Sequence, residues 1–199
     1  MHIDKDLLIA WGARLKKYHK NEIIFSEGEE ARCVFQIVEG VVKMYNINDS
    51  AGKEFTQGMF GHDNTFGEPA ILIDEPYPAH AVCVTDAVIF HLPKDNFLQI
   101  LKEYPELHFK LTKLMAQRLW DKSMTFKEVM NNAPATRILG FLNSYRKKLK
   151  LDHNNRIAIP FTRQEIANFT GLRVETTIRT LNKLNENGKV EIKNRKLFY

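Results

Sequence analysis

Hydrophobic residues follow two different periods along the N-terminal half of the chain. Over the first twenty residues, Leu7, Trp11 and Leu15 recur at helical spacing, which predicts an amphipathic helix. Between Glu22 and Leu92, short β-branched and aromatic runs such as EIIF and VFQIVEGVVKMYNI are separated by turn residues. Many short strands without long helices between them favour an antiparallel barrel or sandwich.

A long helical pattern begins at Pro105, a residue suited to the first turn of a helix. Its apolar stripe comprises Leu107, Leu111, Leu114, Met115, Leu119, Phe126, Val129 and Met130. At 1.5 Å per residue such a helix is about 37 Å long, too long to hide its stripe against a small barrel. A partner helix in a parallel two-fold coiled coil is the simplest cover, and packing within one chain is the alternative. The segment Asn131-Asn132-Ala133-Pro134 breaks the pattern.

Residues 162–187 contain the pattern of two helices joined by a tight turn. Thr162 and Glu165 form a capping-box pattern that starts the first helix, and Gly171 ends it. The inner face of this helix is assigned to Ile166, Ala167 and Phe169, followed by Leu172 under the second helix. The second helix is expected to bury Val174, either Thr177 or Ile178, Leu181 and Leu184. This arrangement is typical of a helix-turn-helix, whose second helix enters the major groove of DNA.

Charge separates the two parts of the chain. Residues 131–199 contain 14 Lys and Arg against 5 Asp and Glu, a net charge of +9, whereas residues 1–130 carry a net charge of −4. A polyanion is therefore the expected partner of the C-terminal part, and a solvated basic surface is the alternative.

The outward side of the second helix carries groups that can read base edges. Glu accepts from the exocyclic amine of cytosine, and Arg donates a bidentate pair to guanine. We predict base contacts for Arg173, Glu175, Thr176 and Arg179. Taken alone, Glu175 and Arg179 would also fit a surface ion pair between residues four positions apart.

Phosphate contacts are expected at two places in the same region. Backbone amides and the helix dipole favour a phosphate at the N-terminus of the first helix, beside Thr162, Arg163 and Gln164. Two short runs that flank Lys193 and Arg195 predict a β-hairpin wing, whose basic side chains would contact the DNA backbone.

The sequence also argues against several other classes of protein. It contains neither a membrane-length apolar run nor a signal peptide, so we expect a cytoplasmic protein without a membrane partner. Cys33 and Cys83 lack CxxC spacing and are interpreted as small core residues. A cupin-like barrel enzyme would need clustered metal ligands, and neither these nor a catalytic triad is evident, so no enzyme and no metal site are predicted. A nonspecific nucleic-acid-binding protein remains the second alternative.

On these residues the sequence resembles the Crp/Fnr regulators, named for the cyclic-AMP receptor protein and the fumarate and nitrate reduction regulator. The similar segments are FSEGE, VEGVVKMY, FGEPAIL, LMAQRLWDKS, APATRIL and TRQEIANFTGLRVETTIRTL, and they cover almost the whole chain. The resemblance implies an α+β fold in three parts. These are a cyclic-nucleotide-binding-like β-roll or jelly-roll barrel (1–104), a long dimerisation helix (105–130) and a winged helix-turn-helix domain (131–199).

The resemblance further implies partners and roles. The protein is expected to bind a palindromic operator in double-stranded DNA as a homodimer and to contact RNA polymerase. Glu175 and Arg179 take the base-reading positions of the family. Val174 replaces a further base-contacting Arg of the cyclic-AMP receptor, so this helix is more similar to the VET form of the fumarate and nitrate regulator.

An effector pocket is implied between the barrel and the long helix, with Gly67, Glu68, Ala79 and His80 from the barrel and Ser123 from the helix. In cyclic-AMP-binding relatives, a Gly-Glu pair works with an Arg-Ser pair about ten residues later. Gly67-Glu68 supplies the first half, but the second half falls at Pro78-Ala79-His80-Ala81 and lacks the Arg. A buried phosphodiester without its guanidinium is poorly compensated, which predicts against cyclic AMP.

The effector and any cofactor are otherwise unknown from the sequence. His80 is interpreted as a hydrogen-bonded structural residue, and a role as a haem or metal ligand is the less favoured alternative. The N-terminal cysteine cluster of oxygen-sensing relatives is absent from the sequence, so no iron-sulfur cluster is expected.

Overall fold

The protein is described by a computed structural model for residues 1–48, 52–130, 133–148 and 156–199. Its N-terminal elements are α1 (Lys5–Ala10), β1 (Arg14–Tyr18), β2 (Ile23–Phe25), β3 (Cys33–Glu39), β4 (Val42–Asn48), β5 (Lys53–Phe60), β6 (Thr65–Phe66), α2 (Glu68–Ile73), β7 (His80–Cys83) and β8 (Ala87–Pro93). These are followed by α3 (Lys94–Glu103), α4 (Pro105–Met130), α5 (Pro134–Lys148), β9 (Ala158–Ile159), α6 (Arg163–Thr170), α7 (Val174–Glu186), β10 (Glu191–Lys193) and β11 (Lys196–Phe198). The mixture of sheets and helices confirms the predicted α+β class.

The chain divides into two compact units, Met1–Arg118 and Leu119–Tyr199. The first unit contains two four-stranded antiparallel sheets, with the strand orders β1-β8-β3-β6 and β2-β7-β4-β5. Ile37, Phe66 and Ile89 are fully buried in its core. The division falls inside α4, and the domain bounds expected from the sequence stay a prediction.

The second unit contains a three-stranded sheet of order β10-β11-β9 beside the helices α5, α6 and α7. Ile138, Ile166 and Leu181 are fully buried in a separate core. The predicted break at Asn131 and Asn132 lies outside the described residues, and α5 begins at Pro134.

The helix predicted over the first twenty residues is wrong beyond Ala10. Asp4 caps α1 by accepting from the amides of Asp6 and Leu7. After the helix, Gly12 adopts a φ of +74°, a left-handed conformation that glycine enters without strain. The following residues then pair with β8 as strand β1, in which Leu15 is 52% exposed. Pairing with a strand about seventy residues away overrides the helical spacing of the local sequence.

Helix α4 has two apolar sides, whereas the pattern predicted a single stripe. Leu107 and Leu111 are buried in the first unit, where Leu114 and Met115 pack partly against the same core. Five other apolar residues of α4 are exposed, namely Phe109, Leu119, Trp120, Met124 and Phe126, and we call them the α4 stripe. The side chains of Val129 and Met130 lie outside the described part of the chain. By helical periodicity Phe109 and Trp120 lie opposite Leu107 and Leu111, and Leu119, Met124 and Phe126 lie on the flanks of the helix.

The two cysteines are free thiols in the first unit. Cys83 is buried and Cys33 is half-buried, so the expectation of two core residues holds in full only for Cys83. Burial raises the pKa of both thiols, that of Cys83 to about 11. Neither side chain is therefore ionised near neutral pH, and both are poor nucleophiles.

A polar pair lies inside the same unit. The Tyr18 hydroxyl and His91 Nε2 are 2.9 Å apart, and the two rings stack with an interplanar angle of 5°. Burial, and to a lesser extent the charge of Lys16, lowers the pKa of His91 to about 4. The imidazole is consequently neutral near neutral pH.

Candidate functional site

The helix-turn-helix segment folds as predicted from its cap to its turn. Thr162 Oγ1 accepts from the Glu165 amide at 3.1 Å, and Glu165 Oε2 accepts from the Thr162 amide at 2.7 Å. Gly171 ends α6 with a φ of +67°, and its amide donates to Ala167 O. Leu172 follows with an exposed fraction of 8% and packs into the core of the second unit. These contacts fix the angle at which α7 leaves the turn.

Helix α7 buries one side and leaves the other in solvent. Thr177, Leu181 and Leu184 are buried, and the Thr177 hydroxyl donates to Arg173 O at 3.1 Å. Of the two alternatives left open by the sequence, Thr177 is thus the core residue, and Ile178 is 43% exposed. Thr177 faces inward because helical periodicity puts it on the same side as Leu181 and Leu184, and its hydroxyl donates to a backbone carbonyl there.

Three of the four predicted base-reading residues lie on the exposed surface. Arg173 is the N-cap of α7, Glu175 and Arg179 are exposed, and Thr176 is half-buried. Glu175 and Arg179 are both described, and no ion pair within 4.0 Å joins them. The surface ion pair offered as the alternative is therefore not formed, and both charged groups point into solvent one helical turn apart.

The residues predicted to contact phosphate at the N-terminus of α6 already form hydrogen bonds within the protein. Thr162 Oγ1 donates to Glu165 Oε2 at 2.8 Å, and Gln164 Nε2 donates to Asn168 Oδ1 at 2.9 Å. Arg163 is half-buried, and this burial lowers its pKa, although a guanidinium stays charged. Asn168 is buried and was not identified from the sequence. It holds the side chain of Gln164 in place, a role that only the folded structure reveals.

The predicted wing is present as the hairpin of β10 and β11. Lys193 lies opposite Lys196, and the two turn residues, Asn194 and Arg195, have φ values of +51° and +62°. Two consecutive left-handed residues are typical of the turn that matches the twist of a hairpin. Lys193 and Arg195 are exposed at this tip, where their charges are accessible.

Around Glu68 the first unit contains a buried ion pair. Gly67 precedes α2, and Glu68 at the start of that helix is fully buried. Arg118 Nη1 donates to Glu68 Oε2 at 2.9 Å, and Arg118 Nη2 donates to Thr65 O at 2.6 Å. The guanidinium also lies 5.4 Å from the centre of the Phe60 ring. Arg118 is therefore the cation that hydrogen-bonds to the buried Glu68 carboxylate.

Sequence reasoning missed Arg118, although a signal for it exists. Arg118 follows Leu107, Leu111 and Leu114 in helical phase, so it belongs to the side of α4 that packs on the barrel. A basic residue at such a position needs a buried acidic partner. Glu68 was the candidate that the sequence had already provided.

Two buried oxygens at this place lack a hydrogen-bond partner among the described residues. They are Glu68 Oε1 and Thr65 Oγ1. A buried polar atom without a partner costs about 1–3 kcal/mol, so such atoms are rare in native structures unless another molecule satisfies them.

The other predicted pocket residues are placed differently. Ala79 is fully buried, whereas the ring of His80 stacks on Tyr45 and its Nδ1 accepts from the Glu27 amide at 3.2 Å. His80 begins strand β7, and Ala79 lies in the bend before it. Ser123 belongs to the second unit, and its hydroxyl donates to Leu119 O at 2.9 Å.

The hydrogen-bonded state of His80 agrees with its interpretation as a structural residue. Within the described residues there is no group of three or more His, Cys, Asp or Glu side chains arranged to hold a metal ion. In the same residues no helix has the length and apolar character needed to cross a bilayer.

Comparison with known proteins gives matches to both units. The family described as Cyclic nucleotide-binding domain matches residues 15–104, and the family described as Crp-like helix-turn-helix domain matches residues 136–198. Transcriptional activator protein anr of Pseudomonas aeruginosa is 26% identical over 93% of this chain and 75% of its own length. The Global nitrogen regulator of a Nostoc species is 25% identical over 92% of this chain and 83% of its own.

The fold is also similar to that of a solved structure. The c-di-GMP responsive global regulator CLP of Xanthomonas campestris has a TM-score of 0.82 at 18% identity, with 98% of each chain covered. At this level of identity the similarity concerns the fold alone, which agrees with the arrangement of barrel, long helix and helix-turn-helix described above.

Proposed function

The chain belongs to the Crp/Fnr family of DNA-binding transcription regulators, and on this premise we propose that it is a sequence-specific, homodimeric regulator controlled by a small molecule other than cyclic AMP. RNA polymerase is the proposed protein partner, as the family resemblance implies. No catalytic role is proposed, because the matched relatives are regulators by name.

The exposed side of α7 carries the proposal of sequence-specific binding. Glu175 and Arg179 lie one turn apart, are not paired with each other, and sit on a helix fixed by a capping box and a tight turn. A carboxylate and a guanidinium held in this way can each select a base, with about 1–3 kcal/mol of discrimination per good contact. The net charge of +9 on residues 131–199 supplies the attraction to phosphates.

The α4 stripe supports the homodimer. Leu119, Trp120 and Phe126 are 68%, 59% and 64% exposed, which is a large apolar surface for one helix. Burying such a surface against a second copy removes it from water at about 25 cal/mol per Å². Two copies related by a two-fold axis would also present two α7 helices to the half-sites of a palindrome, about 34 Å apart.

Glu68, Thr65 and Arg118 form the proposed effector site. A molecule with hydroxyl or N–H donors would satisfy Glu68 Oε1 and Thr65 Oγ1, the two oxygens without partners among the described residues. A phosphodiester fits poorly, because Arg118 is already held by Glu68 and the fully buried Ala79 offers no charge. Gly67 and His80 of the first unit are kept as candidate effector residues from the family resemblance. Ser123 of the second unit also stays a candidate on that ground alone.

Selection from a random DNA library tests the function directly. The purified protein should enrich one palindromic sequence, and unlabelled random duplex should compete far less well than the selected one. Equal competition by random DNA would instead favour the nonspecific nucleic-acid-binding protein.

Sedimentation tests the dimer separately from DNA binding. The wild-type protein should sediment as a dimer, and Leu119→Glu should shift it to the monomer because a charge enters the α4 stripe. Lys110→Glu, also an exposed change on α4, is the matched control and should leave the dimer intact. A wild-type monomer at all accessible concentrations would contradict the proposal.

Thermal unfolding with added nucleotides tests the effector. A ligand that binds only the folded state raises the Tm. Because we propose that cyclic AMP does not bind, adding it should leave the Tm unchanged. Native mass spectrometry of the dimer can identify a retained small molecule. A clear rise in Tm with cyclic AMP, lost in Glu68→Gln, would refute the exclusion of that nucleotide.

A further inference from the structure

Ile178 is an apolar side chain at the border between the buried and the exposed sides of α7. Its exposed fraction is 43%, while Thr177, Leu181 and Leu184 cover the buried side of the helix. Within residues 133–147 and 156–199, Ile178 is the one large hydrophobic side chain that is exposed. A β-branched residue in this position adds little to helix propensity or to the core. Its contribution therefore concerns what α7 contacts.

The neighbours of Ile178 are the side chains proposed to read bases. Glu175, Ile178, Arg179 and Asn182, together with Lys183 and Glu186, line one shallow, open depression on the outer side of α7. At 3.6 residues per turn, the first four of these positions fall within a sector of about 100°. Ile178 lies at one edge of that sector, so one apolar group borders the charged and amide groups on the surface that would enter the groove.

We propose that Ile178 contacts the 5-methyl group of a thymine and makes α7 selective for a thymine-adenine pair next to those read by Glu175 and Arg179. The proposal rests on the proposed function, since it requires α7 to lie in the major groove. It adds a specificity-determining residue that was absent from the predicted base-reading set.

The chemistry of the major groove supports thymine over the other bases. The thymine methyl is the apolar feature that base pairs present there, and apolar side chains contact it. Thymine also presents its O4 acceptor, but the other three bases present amines, carbonyls or ring nitrogens without a methyl group. Isoleucine has no donor or acceptor, so over those bases it would displace water and gain no apolar contact in return. The isoleucine therefore both favours thymine and disfavours its competitors.

The experiment uses the full chain and the duplex that it selects from a random library. Each thymine is replaced singly by deoxyuridine, which keeps the base pair and removes only the methyl group. Dissociation constants are then measured by fluorescence anisotropy. Loss of one buried methyl-sized group corresponds to about a fourfold rise in Kd. We expect this rise at one thymine of each half-site, and roughly fifteenfold when both half-sites are changed.

Two variants assign the effect to its residue. In Ile178→Ala the penalty of deoxyuridine at that thymine should disappear, because the shortened side chain no longer reaches the methyl. Ile47→Ala removes an isoleucine of nearly the same exposure, 44%, from β4 of the first unit. This control should leave both the Kd and the deoxyuridine penalty unchanged, and matching Tm values show that each variant folds.

The outcomes separate this inference from the proposed function. If deoxyuridine at every thymine leaves the Kd unchanged, the role of Ile178 is overturned while sequence-specific binding still holds. The same follows if the rise in Kd persists in Ile178→Ala. A selected half-site without any thymine has the same consequence. Failure to enrich any sequence refutes the proposed function itself, and the role of Ile178 falls with it.

Discussion

Replacing Arg118 with Met should destabilise the first unit, because it leaves the carboxylate of Glu68 buried without its cation. Glu68 is fully buried, and the side chain of Arg118 is 24% exposed. Removing one partner of a buried pair costs about 3–5 kcal/mol. We expect the lower part of that range, about 3 kcal/mol, since water reaches the Arg118 side of the pair.

The opposite change should cost less, and this asymmetry follows from the geometry. Glu68→Gln leaves a guanidinium that still donates to Thr65 O and remains partly hydrated. The expected loss is about 1.5–2 kcal/mol, the lower part of the range for a hydrogen bond to a charged group. The double variant should be more stable than the sum of the two losses implies, because no unpaired charge remains.

Urea unfolding followed by tryptophan fluorescence measures these losses. Trp11 packs edge-on against Tyr104 in the first unit, whereas Trp120 belongs to the second. A Trp120→Phe background therefore makes the signal report on the first unit alone. Lys110→Met, a change at an exposed position of the same helix, is the matched control and should shift stability by less than about 0.5 kcal/mol. A loss below about 1 kcal/mol for Arg118→Met, or strict additivity in the double variant, would refute the reasoning.

Three further predictions concern the DNA interface and the core. Arg179→Ala should lower affinity for the selected duplex by about 1–3 kcal/mol and barely change nonspecific binding; equal losses on both, in competition assays, would contradict base reading. Arg163→Ala should weaken specific and nonspecific binding alike and reduce the slope of log K against log salt by about 1, whereas an unchanged slope would argue against a phosphate contact. His91 has a depressed pKa of about 4 in the folded state, so the unfolded chain binds its proton first as the pH falls below about 6.5. The free energy of unfolding should therefore fall by about 1–2 kcal/mol, after allowance for partial solvation, between pH 6.5 and pH 4. His91→Gln should reduce this fall when unfolding is measured as a function of pH. An unchanged pH dependence would show that another group titrates.

The helix-turn-helix was predictable because its signals are local. The capping box of Thr162 and Glu165, the left-handed Gly171 and the apolar spacing of α7 lie within one segment of sequence. The one open choice, Thr177 or Ile178, concerned neighbouring positions at the edge of the apolar side. It was decided by a hydroxyl that can bond to a backbone carbonyl in the core.

The failures of prediction involve partners that are distant in the sequence. β1 was assigned to a helix because its strand partner β8 lies about seventy residues away, and periodicity carries no information about that partner. Arg118 was missed because its acid lies fifty positions before it. The sequence pattern combined Leu119 and Phe126 of the α4 stripe with Leu107 and Leu111 in one apolar stripe, because periodicity does not show which apolar residues of a helix are buried in the same core.

The buried pair of Glu68 and Arg118 constrains how this chain can change over generations. A single substitution at either position passes through a less stable protein, so the first change is tolerated only where spare stability exists or where the second follows closely. Lineages that lose one charge should therefore tend to have lost the other, and the two positions should vary together among descendants of a common ancestor.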